Sequence, residues 1–484
     1  MKAILIGNGL DIQVGGNDYL NKWIIIRLLA KSKMGKYDAL FENTISGDEI
    51  IALFNGMLNI ANKARNREYD EIISRCAISE LSTNLKNTLT DFVNNHKSEI
   101  NSIEEIGMED WVFLFQLYLI EQKDLLNNYN AVKQGYQQML LDAIFCEGKI
   151  QRLYDKLSKK AKEFFGDFDR IFTLNYDNMI EKATKCNVYH LHGDFNTLHM
   201  SENPQNALGY YNRKNKLIKN RPEWKHCNST AIVDYSGNLK YKFATQNTNL
   251  YKSFENEKQL IREKKILKEK YLSTAKDEVR KILELGIEKN LSIGHNYYFE
   301  QFENLSGELI VIGMAPENDS HIFDCINKSE INHVKFYYYF GTTNKAEISE
   351  KTAEIKLNIN KSYEILNIQE LWEELGITPP EKKIYDVTPE QLKCINDLCL
   401  STPITEDELL YQVNSIPSTT RKVIIEMLNS ELEKEKYHKS PQSKRELLST
   451  FKDFGETLKI ASLSPQALYY LYFESSKKSR NKVK

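Results

Sequence analysis

Two histidines one residue apart, His190 and His192 in the stretch HLHGDF, are followed at once by Gly193 and Asp194. Imidazoles at such a spacing serve as metal ligands, as general bases, or as hydrogen-bonded core groups. A metal needs more than two ligands, and no third His or Cys stands nearby at a recognisable spacing, so no metal is expected. Alternation along a strand would put both rings on the same side of a sheet. His192, directly before a glycine, is the better placed for chemistry. His190 is expected to be a structural histidine held by hydrogen bonds.

Three other stretches concentrate polar groups. TLNYDN, Thr173 to Asn178, sets short polar side chains where an apolar run ends. Asn and Asp favour helix N-caps, and Asp177 could serve as one, but a cap needs only one residue. The surplus polarity points to a ligand. GNGLD, Gly7 to Asp11, follows the apolar run AILI. Glycines there would let the backbone approach a diphosphate, and the following turn would offer N–H groups to it. The fingerprint GxGxxG is incomplete and no GxxxxGK[ST] occurs here. VIGMAPENDSHIF again ends an apolar run in glycine, Gly313, and leads through Glu317, Asn318 and Asp319 into a helix start that Asp319 could cap. Singly, each stretch has an ordinary structural explanation.

The elements that must position these residues alternate between strand and helix. KAILI, RIFTL, VYHL, ELIVI, KFYYYF and SYEILNI read as strands, the two most apolar ending in glycine turns. That pattern predicts an α/β fold with a doubly wound, mostly parallel sheet, in which ligands bind beyond the carboxyl ends of the strands. Residues 18–165 read as a large helical insertion. Residues 197–221 read as loop, TAIVDYSGNLKYKF as a hairpin about Ser236-Gly237-Asn238, and 254–286 as a long charged helix. Pro379-Pro380 marks a boundary. Beyond it, short helices with caps at Thr388, Thr405 and Ser464 suggest a small separate domain over 386–484, leaving 1–378 as the main domain.

Composition narrows the partners. The chain has 484 residues and a formal net charge of -2, so no global field favours nucleic acid or an anionic membrane. Five basic residues in SSKKSRNKVK read as a solvated tail, and direct nucleic-acid binding is not expected. The apolar runs WIIIRLLA and WVFLFQLYLI are far shorter than the ~20 residues that span a bilayer. MKAILIG reads as a strand rather than a signal peptide. Seven scattered cysteines without a CxxC pair argue for free thiols in a reducing cytoplasm. Cys394 and Cys399 are expected to pack as small apolar groups.

In their order, GNGLD, FTLNYD, HLHGD and IVIGMAPENDSHI resemble the sirtuin-like NAD-hydrolase superfamily of bacterial antiphage proteins, and within it the AbiH-type abortive-infection branch. The resemblance covers the strand ends of residues 1–375 and says nothing of the C-terminal region. It implies a Rossmann-like, sirtuin-like sheet that binds NAD and cleaves the nicotinamide–ribose bond. It would put Gly7, Asn8, Gly9, Leu10 and Asp11 at the dinucleotide, with the first three against the pyrophosphate. Asn175 would orient the ribose or the attacking water, and His192 would be the base. Asp177 would support Asn175 or touch nicotinamide. Gly313 and Met314 would lie near the adenosine ribose, with Asp319 in the same binding loop.

Protein-deacylating sirtuins usually carry a four-cysteine zinc module, and this sequence has none. Simple hydrolysis without a metal is therefore expected over acyl-lysine removal. Asn8, Asp11 and Met314 depart from the residues usual in the deacylases, so NADP or a related dinucleotide stays open beside NAD. The resemblance further implies an effector restrained until a trigger arrives, through homo-oligomerisation, a phage product or a partner protein from the same operon. A non-catalytic dinucleotide sensor and a scaffold in a defence complex are the alternatives.

Overall fold

The computed structural model describes all residues except 43, 76–78, 102–104, 123–128, 215–221, 265–275, 317–318, 382–383, 399–401, 439–462 and 473–484. The basic tail, Cys76, Cys399, Glu317 and Asn318 therefore lie outside the described residues.

Six strands form one sheet: β1 (Lys2–Ile6), β2 (Arg170–Thr173), β3 (Val188–His190), β4 (Ser306–Ile312), β5 (Glu330–Tyr338) and β6 (Ser362–Asn367). Every pairing is parallel and the order is β3-β2-β1-β4-β5-β6. That order is compatible with a Rossmann-like fold, whose crevice opens where the strand order reverses, here between β1 and β4. The strands form because KAILI and SGELIVI offer unbroken apolar runs that can be covered on both faces. One face is sealed by Leu5, Phe172, Leu174, Val311 and Phe336 against Phe299, Phe302, Ile322 and Phe323. Register aligns the strand ends: Ile6 pairs with both Thr173 and Ile312, and Thr173 with His190.

Two local expectations give way. In place of the predicted hairpin, residues 230–236 are irregular and the second half begins a helix, Gly237–Lys264. The short alternation in LKYKF also fits a helix, in which Lys240, Ala244, Thr248, Phe254 and Lys258 are the buried positions, most of them four apart. The loop predicted over 197–221 contains the helix Ala207–Lys214, at whose start the Asn206 side chain accepts the Leu208 N–H at 3.2 Å. Cys394 is exposed rather than packed.

The chain divides into two compact units. Met1–Val14 and Glu147–Thr378 form the sheet unit, and Gly15–Cys146 and Pro379–Lys484 form the helical unit. The boundary falls at Pro379, but the C-terminal helices group with the insertion instead of standing alone. Buried polar chemistry explains the grouping. The Asp18 carboxylate accepts from the backbone N–H groups of Thr419 (3.2 Å) and Thr420 (3.1 Å). The Arg27 guanidinium donates to the Ala143 carbonyl (2.9 Å) and to the Thr420 hydroxyl (3.0 Å). Buried charges persist only with such partners. Thr405 and Glu408 form a capping box, and Thr388 and Ser464 accept from Gln391 and Ala467 N–H groups, as their sequence predicts. Among the described residues, no helix is long and apolar enough to cross a membrane.

Candidate functional site at the strand ends

The loops after β1 and β4 are pressed together. The Gly7 N–H donates to the Ile312 carbonyl and the Gly9 N–H to the Gly313 carbonyl, both at 2.8 Å. A Cβ on Gly7 would stand 2.6 Å from the Gly313 oxygen, and one on Gly9 2.6 Å from the Gly313 Cα. Gly313 itself adopts φ +66, in the left-handed region. The three glycines thus serve the mutual approach of two loops. Two N–H groups expected to face an anion are engaged within the protein. Asn8 between them is exposed, while Leu10 is fully buried and Met314 joins the apolar core.

The end of β2 carries the polar cluster. The Thr173 hydroxyl accepts the Asn175 N–H at 3.0 Å and donates to the Ile6 carbonyl at 3.1 Å. The Asn175 amide nitrogen donates to the Gly7 carbonyl at 3.2 Å, tying the second strand end to the first. Its Oδ1 is buried and has no hydrogen-bond partner among the described residues. Asp177 accepts the Met179 N–H at 2.6 Å, although Asn178 and not Asp177 stands at the N-cap of the helix Met179–Thr184. Asp11 and Asp177 are hydrogen-bonded to each other and both buried. Burial, then the charge of Asp177, hold Asp11 well above the usual carboxylate range. Burial, opposed by the Met179 N–H and the charge of His190, pushes Asp177 up to about 6. Two carboxyls in one dry site cannot both ionise readily, so a proton stays between them.

The two histidines part company. β3 ends at His190, and a turn begins at Leu191, so strand alternation no longer governs His192. The His190 Nδ1 lies 3.0 Å from the Asn175 carbonyl and its Nε2 contacts the Glu181 carboxylate. Burial alone would lower its pKa. The hydrogen bond and charge of Glu181 overcome that and raise it to about 9, so His190 is an imidazolium. Gly193, at φ +79, leaves room for the Thr230 carbonyl, which a Cβ would meet at 2.1 Å. The chain bends there, and His192 turns toward the helix Ser320–Lys328. Its Nε2 lies 3.0 Å from the His321 Nε2 and 4.0 Å from an Asp319 carboxylate oxygen. Burial, then the charge of Lys240, lower His192 well below the ordinary imidazole value and His321 to about 3. Both rings are neutral at pH 7.

Neutral, buried imidazole next to a strand end can take a proton without first losing one. An amide oxygen lacking a partner at the same edge can orient a hydroxyl or a water. Asn175 and His192 each lie two residues beyond the paired Thr173 and His190, past the ends of adjacent strands. Asp11, Asp177, Gly7, Gly9 and Gly313 gather at the same edge. His321, Lys240 and Glu181 were given no role by sequence reasoning. His321 stood in a quoted motif, but it is 129 residues from His192, and no spacing rule reaches that far.

No protein-family model, curated protein or solved structure matches this chain. Function must therefore be argued from the chemistry of the strand ends.

Proposed function

We propose that the chain is an NAD hydrolase that cleaves the nicotinamide–ribose bond, with the sirtuin-like architecture its four motifs resemble. The observation that carries the reading is the buried Oδ1 of Asn175 beyond the end of β2, without a hydrogen-bond partner among the described residues, with the neutral imidazole of His192 beyond the end of the adjacent β3. In the reaction, water oxygen bonds to the anomeric carbon as the carbon–nitrogen bond breaks. The bonding pair returns to the pyridinium ring, so nicotinamide leaves neutral and needs no acid. The proton of water is the one charge left over, and His192 takes it. The transition state is oxocarbenium-like. Asn175 orients the ribose or the water, and holding the reacting atoms in line supplies much of the rate. The proton shared by Asp11 and Asp177 limits the pair to a single negative charge. Neither glycine N–H is open to the pyrophosphate, and the exposed Asn8 lies between them.

The role in antiphage defence, the requirement for a trigger, homo-oligomerisation and a partner protein are supported by the motif resemblance alone. Free nicotinamide released from NAD by the full chain, with and without phage lysate, is the direct test. His192→Ala is expected to slow release by about 10²–10⁴-fold, the usual worth of a general base. Release absent under every condition, or undiminished in both Asn175→Ala and His192→Ala, would overturn the reading. Retained NAD binding without turnover would instead mark a dinucleotide sensor.

A further inference from the structure

We propose that His192, His321 and Asp319 form a binding site for a divalent cation of the zinc class, and that the bound cation silences the chain. The silencing half rests on the hydrolase reading above, whereas the binding half stands without it.

The three side chains come from two separate segments, the turn after β3 and the start of the helix Ser320–Lys328. One ligand atom from each lies within 4.8 Å of the others. Two imidazole nitrogens on one tetrahedral zinc, each about 2.05 Å from the metal, stand about 3.3 Å apart. The Nε2 atoms of His192 and His321 are 3.0 Å apart, so a shift of a few tenths of an ångström opens the chord. Asp319 flanks the helix without capping it through its side chain, and its carboxylate faces His192 at 4.0 Å. Imidazole nitrogen binds metal in its neutral form. Two imidazoles and one carboxylate leave a fourth position for water.

The surroundings make the site reversible. The buried Lys240 bears on both rings and opposes a cation. Among the described residues the buried His321 Nδ1 has no partner, whereas a tightly held histidine ligand normally donates its second N–H. Without metal, one ring donates its Nε2–H to the other. With metal, both Nε2 lone pairs are taken, and His192 can no longer accept the proton of water. A cation thus supplies the restraint that a lethal hydrolase needs.

Cobalt(II) and zinc titrations of metal-free full-length protein test the binding half. One equivalent of cobalt is expected to give the visible absorption of a four-coordinate ion. His321→Gln and Asp319→Asn are each expected to weaken binding about tenfold or more. Lys240→Met is expected to tighten it, and His199→Gln, in the half-buried pair His199–His295, to leave it unchanged. No stoichiometric binding, or binding indifferent to His321→Gln and Asp319→Asn, overturns the site. In the second arm, zinc is expected to lower nicotinamide release by wild type, and chelator to restore it. Release unchanged or raised by zinc overturns silencing. Release absent from metal-free protein counts against the hydrolase reading, while the cobalt titration still decides the site.

Discussion

Asn175 is tied to Gly7 across the first two strand ends by an amide-to-carbonyl hydrogen bond of 3.2 Å, while its buried Oδ1 has no partner among the described residues. Asn175→Asp keeps the shape but exchanges the donor for a third carboxyl beside Asp11 and Asp177. The Gly7 carbonyl then keeps only the Leu10 N–H at 3.2 Å, and the loss of one buried hydrogen bond costs about 0.5–1.5 kcal/mol. Urea unfolding should show a loss of that order at pH 7. The loss should grow at pH 8, where the added carboxyl is fully charged, and shrink at pH 5. Nicotinamide release should fall with it. A variant as stable as wild type at pH 8 would mean that the hydrogen bond and the carboxyl pair do not share one dry site.

Glycine substitutions separate loop approach from chain flexibility. Gly313→Ala would force an L side chain into φ +66, with its Cβ 2.9 Å from the Gly9 Cα. The expected cost is about 2 kcal/mol or more, since strain and overlap add. Gly56→Ala, inside the helix Gly47–Arg65 with nothing within 4 Å of the new Cβ, should stabilise by about 0.5–1 kcal/mol. Denaturant midpoints of the two variants moving in opposite directions would bear this out. A Gly313→Ala midpoint equal to wild type would remove close loop approach as the reason for the glycine.

What the sequence disclosed follows the range of its signals. KAILI and SGELIVI announce themselves because a strand buried on both faces is a continuous apolar run. The turns at Gly7 and Gly313, and the side chains of Asn175 and His192, are legible because each sits within a few residues of such a run. The hairpin expectation at Ser236 failed because LKYKF alternates over too few residues to distinguish period 2 from period 3.6. The grouping of the insertion with the C-terminal helices could not be seen at all. It depends on Asp18 meeting Thr420 across 402 residues of sequence. His321 reaches His192 in the same nonlocal way.

The Asp11–Asp177 pair should leave a signature in the acid limb of stability. Both carboxyls are raised, Asp177 to about 6, so the folded state holds a proton that the unfolded chain releases near the ordinary carboxylate value. The folded state binds more protons in this window, so the stability the pair contributes is full below about 4 and is lost as pH rises toward and through 6. Asp11→Asn keeps a neutral partner for Asp177 and removes the repulsion. It should flatten this limb and raise stability at pH 7 by on the order of 1–3 kcal/mol. Thermal unfolding between pH 4 and 7 measures it, and a variant less stable than wild type at pH 7 would show that the Asp11 carboxyl is needed ionised.

His190 predicts a second window at higher pH. Burial opposes its charge, but the Glu181 carboxylate raises its pKa to about 9, against about 6.5 in the unfolded chain. A base raised in the folded state contributes stability that is complete below the unfolded value and is lost as pH rises through the folded one. Stability should therefore decline between about pH 6.5 and 9, by on the order of 2 kcal/mol once the partial exposure of Glu181 is allowed for. Buried Tyr136 and Tyr297 and the Cys325 thiol are also raised, but their contributions are lost only above the ordinary thiol and phenol values, so the two limbs separate. Glu181→Gln should erase the earlier limb and leave the later one. It should also loosen Asn175, whose carbonyl His190 holds, and so lower nicotinamide release at pH 7 without abolishing it. If the decline between pH 6.5 and 9 persists in Glu181→Gln, another group carries it and His190 is not the imidazolium that anchors the second strand end.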